Sequence, residues 1–329
     1  MISVGLDVGG TKILGVAMTG EGIVLREARR ATVNDGAGLL EELCELYRAL
    51  SSESASEQGA GGPAPLGVGL PGLVDPSGLL AFSPNLSAAG GLDVRGGLRR
   101  YLENLAPVIQ VDNDATCAAA GESSFGAGRG ESDVLFVTLG TGIGGGIVSG
   151  GRLLRGANNF SGEIGHFVVD PQGPPCGCGR RGCWERYASG SGLGRVARDY
   201  ALAGRASRVV ELAGGDPDVV RGEDVVRAIG EGDEEASAIL GEFAWWVALG
   251  LANLAAVLDP RLIVIGGGLV RAGDALLGPV RGAFAAQLEG ASLRPPIEIV
   301  GAALGDRGGA VGAATVALEA AGVELVAGR

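Results

Sequence analysis

Residues 2–18 read ISVGLDVGGTKILGVAM, two apolar runs joined by a turn of glycine and threonine. Short apolar runs bounded by glycine predict buried β-strands. A turn this rich in glycine places several backbone N–H groups in one small concavity, which suits a phosphate group. The stretch therefore predicts a strand–turn–strand unit with an anion site at its turn.

The same pattern returns at residues 133–154, DVLFVTLGTGIGGGIVSGGRLL. Residues 7–11 (DVGGT) and 138–142 (TLGTG) share few identical residues, but both form a turn of glycine and threonine after an apolar run. Residues 142–146 (GIGGG) are not a dinucleotide fingerprint, because a strand rather than a helix follows them. Either turn alone is also explained as a tight hairpin. The pair favours two related, facing domains whose turns clamp the phosphates of a nucleotide.

The remaining pattern is typical of an α/β protein. Further strands are predicted at residues 22–28, 66–75, 107–114, 261–268 and 297–301, and helices near residues 38–50, from 115 and from 308. Residues 51–65 are small and polar, which indicates a surface loop. The apolar run at residues 243–258 is shorter than the ~20 residues that span a bilayer, so it predicts a buried core helix.

Composition narrows the classes of protein that this chain belongs to. Its net charge of −12 argues against a nucleic-acid partner, because a phosphate backbone requires a basic surface. The N-terminus has no basic segment before its apolar run, so we expect no signal peptide and a cytoplasmic protein. The only lysine among 26 basic residues is Lys12, in the first glycine turn. It is either a phosphate ligand or an accident of a bias toward arginine.

Residues 163–185, EIGHFVVDPQGPPCGCGRRGCWE, predict a metal site. They contain the only histidine, His166, and three of the five cysteines, Cys176, Cys178 and Cys183. Three thiolates and one imidazole close a tetrahedral shell around Zn²⁺, which is typical of a structural site. The alternative is a set of buried or disulfide-bonded cysteines, but thiols in a reducing compartment more often bind metal.

Polar residues also follow several predicted strands. Asn113 and Asp114 end one strand and precede a helix, where either residue could be an N-cap. The ends of parallel strands are also where α/β sites assemble, and a carboxylate there could accept a hydroxyl proton during phosphoryl transfer. Asp7 could hold Mg²⁺ through water. A nucleoside could lie against the bare backbone of Gly266, Gly267 and Gly268.

A family resemblance follows from motifs that cover almost the whole chain: LDVGGTK, LPGLVD, FSPN, VDNDA, TLGTGIGGG, GEIGH and CGCGRRGCWE. They resemble the ROK family of sugar kinases and sugar-responsive repressors, and within it the ATP-dependent glucokinases of high-GC Gram-positive bacteria. The resemblance implies an actin/hexokinase-like (ribonuclease H-like) fold of two α/β domains around a cleft. The expected domains are residues 1–112 with about 305–329, and residues 113–304 with the zinc loop 163–185.

The resemblance also implies an activity and a set of site residues. The activity is phosphorylation of glucose to glucose 6-phosphate by Mg-ATP, with Asp114 as the general base for the 6-hydroxyl. The implied sugar ligands are Asn85, Asn113, Asp114, Glu163, His166 and Glu185. The implied nucleotide and Mg²⁺ neighbours are Asp7, Gly9, Gly10, Thr11, Lys12, Thr138, Gly140, Thr141, Gly142 and Gly144. One nitrogen of His166 could bind zinc while the other meets a sugar hydroxyl.

Alternatives to glucose remain within the resemblance. Relatives often carry proline and tryptophan after the FSPNL segment, whereas residues 87–91 here read SAAGG, so mannose, fructose or an N-acetylated hexosamine are other possible substrates. Repressors of the family carry a DNA-binding domain before the kinase-like core, whereas here the phosphate turn begins at Asp7. The repressor alternative is therefore disfavoured. Relatives are commonly homodimers or homotetramers.

Overall fold

The computed structural model describes residues 1–52, 63–103 and 105–323. The predicted surface loop at residues 51–65 falls mostly outside the described residues. Contacts divide the chain into two compact units. The first contains Met1–Phe136, Gly146–Gly162 and Ala302–Arg329, and the second contains Val137–Gly145 and Glu163–Gly301.

Strands and helices are numbered in chain order. The strands are β1 (Ile2–Val8), β2 (Lys12–Thr19), β3 (Val24–Ala31), β4 (Leu66–Leu70), β5 (Leu73–Val74), β6 (Leu79–Phe82), β7 (Leu92–Asp93), β8 (Ile109–Asn113), β9 (Val134–Leu139), β10 (Ile143–Ser149), β11 (Arg152–Leu153), β12 (Leu262–Gly266) and β13 (Glu298–Gly301). The helices are α1 (Gly36–Ser52), α2 (Val94–Leu102), α3 (Asp114–Phe125), α4 (Glu185–Ala188), α5 (Gly190–Leu202), α6 (Ser207–Leu212), α7 (Gly222–Gly230), α8 (Glu234–Leu258), α9 (Asp274–Gln287) and α10 (Gly308–Ala320).

The first unit contains a sheet with the order β3-β2-β1-β4-β8. Strands β1, β2 and β3 form antiparallel pairs, while β4 is parallel to both β1 and β8. Every residue of β4 is buried, as is typical of a parallel strand that is covered on both faces. Helices α1 and α2 pack against part of this sheet, and α10 packs against β1 and β4. This arrangement places the carboxyl ends of β1, β4 and β8 along one edge.

The close packing of α3 on α10 explains where the first unit ends. A Cβ at Gly312 of α10 would lie 1.6 Å from the carbonyl oxygen of Cys117, and one at Gly121 of α3 would lie 2.8 Å from that of Gly308. Only glycine permits backbones to approach this closely. Residues 113–136 and 146–162 therefore belong to the first unit, whereas the sequence-based division at 112/113 assigned them to the second domain.

The second unit contains the end of β9 and the beginning of β10, followed in the sheet order by β12 and β13. Strand β12 is fully buried and parallel to β13. Helices α4 to α9 complete the unit, and α8 packs against α5, α7 and α9. By length and composition α8 could cross a membrane, but half of its most apolar part is buried inside the structure. The prediction of a core helix at residues 243–258 is therefore confirmed.

Candidate functional site

Three polar residues lie at the carboxyl edge of the first sheet. Asp7 of β1 pairs with Gly69 of β4, and Gly69 pairs with Asp112 of β8. The next residues, Asn113 and Asp114, therefore stand at the same edge as Asp7. This is the edge at which ligands bind in open α/β sheets. The structure thus brings together two carboxylates, Asp7 and Asp114, that are 107 residues apart in the sequence.

Asn113 is the N-cap of α3. Its side-chain oxygen accepts a hydrogen bond from the Thr116 N–H at 3.0 Å, and its amide donates to the Gly72 carbonyl at 3.1 Å. The N-cap interpretation of this position is therefore confirmed. Asp114 is half-buried in the first turn of α3, where its Oδ1 accepts from the Ala115 N–H at 2.8 Å. A helix N-terminus favours a negatively charged side chain.

Asp112, which precedes these two residues, was not predicted as a site residue. Its side chain is only 1% exposed and accepts from Arg155 Nε at 2.7 Å and Asn159 Nδ2 at 3.0 Å. Asn159 also donates to the Val74 carbonyl at 3.1 Å. A buried carboxylate is stable only when charge and hydrogen bonds compensate its lost hydration. The available signal was a charged residue inside the strand predicted at residues 107–114, because a carboxylate in a buried strand requires a partner.

The ionisation of Asp7 is strongly affected by its surroundings. Burial raises the pKa of Asp7 to about 7, the negative charge of Asp114 adds to this effect, and Lys12 opposes it. The Asp7 carboxyl also lies against the first turn of α10. A Cβ at Gly309 would lie 2.5 Å from Asp7 Cγ, so a glycine is required there for Asp7 to keep its position.

The first glycine turn, at residues 9–12, is held by backbone hydrogen bonds. The Gly9 N–H donates to the Lys12 carbonyl at 2.9 Å, while Thr32 binds the carbonyls of Gly9 and Thr11 through its hydroxyl and its N–H. The Lys12 side chain is 58% exposed and lies 3.7 Å from Asp306. The structure therefore shows an exposed ion pair at the only lysine of the chain.

Asn85, the remaining sugar ligand expected in the first unit, lies beside this turn. A Cβ at Gly10 would be 3.7 Å from Asn85 Cβ. The segment that follows Asn85 forms a short 3-10 helix, Ser87–Ala89, with Ala89 buried. The segment after Asn85 thus consists of small residues at positions 87–89.

The four predicted zinc ligands come together in the second unit. The donor atoms of His166, Cys176, Cys178 and Cys183 all lie within 4.8 Å of one another. His166 Nδ1 is 3.6 Å from Cys176 Sγ, and the sulfurs of Cys178 and Cys183 are 3.5 Å apart. Tetrahedral zinc with Zn–S bonds near 2.3 Å separates its sulfurs by about 3.8 Å. The donor set therefore fits Zn²⁺, and all five cysteines are free of disulfide bonds.

Tight turns shape the loop that carries these ligands. The Cys176 N–H donates to the Arg180 carbonyl at 2.8 Å, and Gly179 and Gly182 have φ values of 87° and 64°. Burial opposes ionisation of Cys178, but hydrogen bonds from the Arg180 N–H and from the Cys183 and Cys176 thiols lower the pKa of Cys178 to about 6. The thiolate form is the form that binds metal.

A fully buried tryptophan anchors the loop to the core of the second unit. Trp184 Nε1 donates to the Trp246 carbonyl at 2.8 Å, and its ring stacks on Phe167 with the centroids 5.3 Å apart. A Cβ at Gly250 of α8 would lie 2.0 Å from the indole ring. The glycine thus makes room for Trp184, which stands between the last cysteine and Glu185.

Glu163 and Glu185 lie on either side of the metal ligands. Glu163 Oε2 is 3.9 Å from His166 Nε2, the nitrogen of the ring that does not approach Cys176. Partial burial raises the pKa of Glu163, His166 opposes this effect, and Glu185 adds to it. Glu185 Oε1 lies 3.6 Å from Cys176 Sγ, and its Oε2 accepts from the Ile143 N–H at 3.2 Å. The structure therefore brings Glu163, His166 and Glu185 together around the cysteine cluster.

The second phosphate turn, residues 140–142, lies in the same unit. The Gly140 N–H donates to the Gly142 carbonyl at 3.0 Å, which closes the turn between β9 and β10. Gly267, after β12, has φ of 86°, and a Cβ there would lie 2.5 Å from the Leu139 carbonyl oxygen. The two glycine segments predicted to contact a nucleotide are therefore neighbours in the second unit.

Known proteins share this sequence and architecture over nearly the whole chain. A family model described as "ROK family" matches residues 3–320. A glucokinase of Streptomyces coelicolor is 36% identical over 326 residues, covering 97% of this chain and 98% of that protein. An N-acetylmannosamine kinase of Escherichia fergusonii is 34% identical over 314 residues, covering 92% of this chain and 98% of that protein.

A solved structure supports the same conclusion. The crystal structure of a ROK family glucokinase from Streptomyces griseus, in complex with glucose and AMPPNP, superposes with a TM-score of 0.82 at 35% identity. The match covers 97% of this chain and 100% of that one. The prediction of an actin/hexokinase-like fold of two α/β domains is thereby confirmed.

Proposed function

The chain belongs to the ROK family, and we propose that it phosphorylates glucose to glucose 6-phosphate with Mg-ATP as the donor. The observation that carries this proposal is the placement of Asp114 beside Asp7 at the carboxyl edge of the first sheet, in a chain 36% identical to a glucokinase. Asp114 would accept the proton of the sugar hydroxyl, and Asp7 would hold the metal. A phosphotransferase that acts on an alcohol needs both functions.

Asp114 is the proposed general base. Its carboxylate accepts the proton of the sugar 6-hydroxyl as the oxygen forms its bond to the γ-phosphorus and the bond from that phosphorus to the β,γ-bridging oxygen breaks. ADP leaves with the electron pair of that bond. Asp114 suits this role because the first turn of α3 holds its carboxylate half-buried, with Oδ1 bound to the Ala115 N–H.

The two glycine turns are the proposed phosphate sites. Mg²⁺ supplies charge neutralisation on the transferring phosphoryl group, and Asp7 would hold it through a water ligand. Backbone N–H groups of Gly9 to Lys12 in the first unit, and of Thr138 to Gly144 in the second, would donate to phosphate oxygens. The glycines Gly266, Gly267 and Gly268 would support the nucleoside. A structure without large side chains at these turns allows close approach of the phosphates.

The proposed sugar ligands offer acceptors and donors to several hydroxyls. They are Asn85, Asn113, Asp114, Glu163, His166 and Glu185. A site that hydrogen-bonds each hydroxyl rejects an analogue lacking one, because the buried polar partner is then left unpaired. His166 supports this assignment, since its Nδ1 approaches Cys176 while its Nε2 lies near Glu163 and is available to a hydroxyl.

We further propose structural zinc at His166, Cys176, Cys178 and Cys183. Such a metal closes the loop and orients the imidazole of His166, and it takes no part in phosphoryl transfer. The free thiols fit a reducing compartment, so we place the enzyme in the cytoplasm. We also propose a homodimer or homotetramer, which size-exclusion chromatography with light scattering would determine.

A second candidate substrate is an N-acetylated hexosamine. The small residues of Ser87–Ala89 beside Asn85 leave room for a substituent on the sugar ring, and an N-acetylmannosamine kinase is 34% identical to this chain. Glucose remains the first choice because the glucokinase match covers more of the chain, 97% against 92%.

A steady-state assay over five sugars tests the proposal. ADP release is coupled to NADH oxidation with glucose, mannose, fructose, N-acetylglucosamine and N-acetylmannosamine, each with Mg-ATP. We expect the highest kcat/KM for glucose, by about ten-fold or more over sugars that displace or remove one hydroxyl contact. A higher kcat/KM for N-acetylmannosamine would support the second candidate, and no turnover of any of the five sugars would refute both.

A further inference from the structure

Ile143, the first residue of β10, is contacted from both sides by the segments that carry the cysteine cluster. On one side, the Glu185 carboxylate accepts its N–H at 3.2 Å. On the other side lies Gly165, between Ile164 and His166, where a Cβ would be only 2.4 Å from the Ile143 carbonyl oxygen. The glycine of the sequence GEIGH is therefore required for that segment to pack against Ile143.

Ile143 directly follows the second phosphate turn, and Glu185 also constrains the turn itself. A Cβ at Gly142 would lie 2.4 Å from Glu185 Oε2. At Gly140 the nearest atom to such a Cβ would be 4.0 Å away. Neither Gly140 nor Gly142 has a positive φ, so the backbone conformation permits an alanine at either position. A Cβ would therefore meet Glu185 at Gly142 and would meet no side chain within 4 Å at Gly140.

The carbonyl groups of the turn are fixed by a different element. The N–H of Gly190 donates to the Gly140 carbonyl at 2.7 Å, and the Ser191 hydroxyl donates to the Thr141 carbonyl at 3.0 Å. Both donors belong to the first turn of α5, which begins two residues after α4 ends. The residue that follows the turn, Ile143, is held in addition by the Glu185 carboxylate, which accepts its N–H.

We infer that Glu185 is a positioning residue for the nucleotide, in addition to being a sugar ligand. Its two oxygens have different partners. Oε1 lies beside Cys176, and Oε2 accepts the N–H of Ile143, the residue that follows the phosphate turn. Glu185 acts on the nucleotide through Ile143 and the turn, without touching a phosphate. The inference rests on the proposed function for the identity of the nucleotide.

Nucleotide binding in the absence of sugar tests this inference. AMPPNP with Mg²⁺ is titrated by calorimetry into the parent, Glu185→Ala and Glu185→Gln, with zinc content and Tm measured for each. Alanine should weaken AMPPNP binding by about five- to ten-fold, the scale of one ordinary hydrogen bond. Glutamine should stay within about two-fold of the parent, since its side-chain oxygen still accepts the Ile143 N–H.

Glu163→Ala is the matched control, because Glu163 is a carboxylate of the same cluster that lies beside His166. It should weaken glucose binding and leave AMPPNP binding unchanged. AMPPNP binding by Glu185→Ala at the affinity of the parent would overturn the inference. Absence of glucose binding by the parent would instead refute the proposed function and leave the nucleotide result standing.

A double-mutant cycle covers the case in which Glu185→Ala loses its zinc. Gly142→Ala should weaken AMPPNP binding in the parent and much less in the Glu185→Ala background, because the clash with Oε2 is then absent. Gly140→Ala, on the same turn, should have equal effects in both backgrounds. Equal effects of Gly142→Ala in the two backgrounds would show that Glu185 does not set the turn.

Discussion

In the first unit, the turn after β1 is closed by a hydrogen bond from the Gly9 N–H to the Lys12 carbonyl at 2.9 Å. In the second unit, the turn after β9 is closed in the same way, from Gly140 to Gly142 at 3.0 Å. Their surroundings differ. The first turn has charged neighbours of its own, Asp7 and Lys12, while residues 138–146 of the second contain no charged side chain.

The two turns also differ in the residues that contact them. Asp7 is held by contact with Gly309 of α10, and its pKa is raised to about 7 by burial and by Asp114. The second turn is held by α5 and by Glu185, next to the cysteine cluster. The two hairpins therefore differ in their neighbours: carboxylates of the first sheet edge lie beside the first turn, and the second turn is held by backbone and by Glu185.

The largest expected effect tests whether the first unit carries the chemistry. Asp114→Asn should lower kcat by about 10²-fold or more, because an amide cannot accept the hydroxyl proton. The KM for glucose should stay within a few-fold, since asparagine keeps the shape and the hydrogen bond to the Ala115 N–H. Steady-state kinetics with glucose and ATP measures both. Asp274→Asn, on a side chain that is 87% exposed, is the control. A near-normal kcat would reduce Asp114 to a helix-terminus residue.

Removal of the metal tests the second unit in the same way. Protein purified without added metal should contain about one zinc per chain, and Cys178→Ser should lose it together with thermal stability and glucose affinity. Cys178 is exposed, so its replacement removes little packing, and a fall in Tm would report the lost metal. Cys44→Ala changes a buried cysteine outside the cluster and should retain zinc. Full stability and glucose affinity in a zinc-free preparation would contradict the assignment.

The cysteine cluster could be predicted from the sequence because its ligands are close together in the chain and few residue types bind zinc. Residues 166–183 contain all four donors, and the structure brings these within 4.8 Å of one another. The paired strand–turn–strand units were also predictable, since apolar runs and glycine turns are local signals. Strands β1, β2, β9 and β10 lie where these signals placed them.

Contacts between distant segments could not be predicted in this way. The bond from Ile143 to Glu185 joins residues 42 positions apart, and the contact of Asp7 with Gly309 joins opposite ends of the chain. Each depends on how strands and helices pack, and a single glycine among 62 carries no local signal of its partner. The packing of α3 against α10 likewise moved the unit boundary away from residue 112.

A smaller effect is expected from the residue that holds Asp7 in place. Gly309→Ala should raise the free Mg²⁺ concentration needed for half-maximal activity by about ten-fold, because a Cβ would displace the Asp7 carboxyl. About ten-fold is the scale of a lost outer-sphere metal contact. Measurement of kcat/KM against free Mg²⁺ gives this value. Gly308→Ala is the matched control, since a Cβ at that neighbouring helical position meets nothing closer than 3.9 Å. Equal Mg²⁺ dependence in the two variants would show that Gly309 does not position Asp7.

The smallest effect concerns Lys12, the only charged residue of the first turn. Its ion pair with Asp306 is exposed on both sides, 58% and 41%, and such pairs contribute at most about 1 kcal/mol to stability. Lys12 can therefore leave Asp306 for a phosphate at little cost. Lys12→Ala should raise the KM for ATP by about three- to ten-fold and leave the KM for glucose nearly unchanged, as expected for the loss of one charge-assisted contact.

Two further variants separate a phosphate contact from an incidental surface lysine. Lys12→Arg should recover only part of the loss, since a forked guanidinium replaces a compact ammonium charge in a glycine turn. Asp306→Asn weakens the competing ion pair, so it should leave the KM for ATP unchanged or lower it. If Lys12→Ala and Lys12→Arg both keep the KM for ATP within about two-fold of the parent, below the effect of one charge-assisted contact, then Lys12 only begins β2. The contrast between the two turns would then rest on a single carboxylate, Asp7.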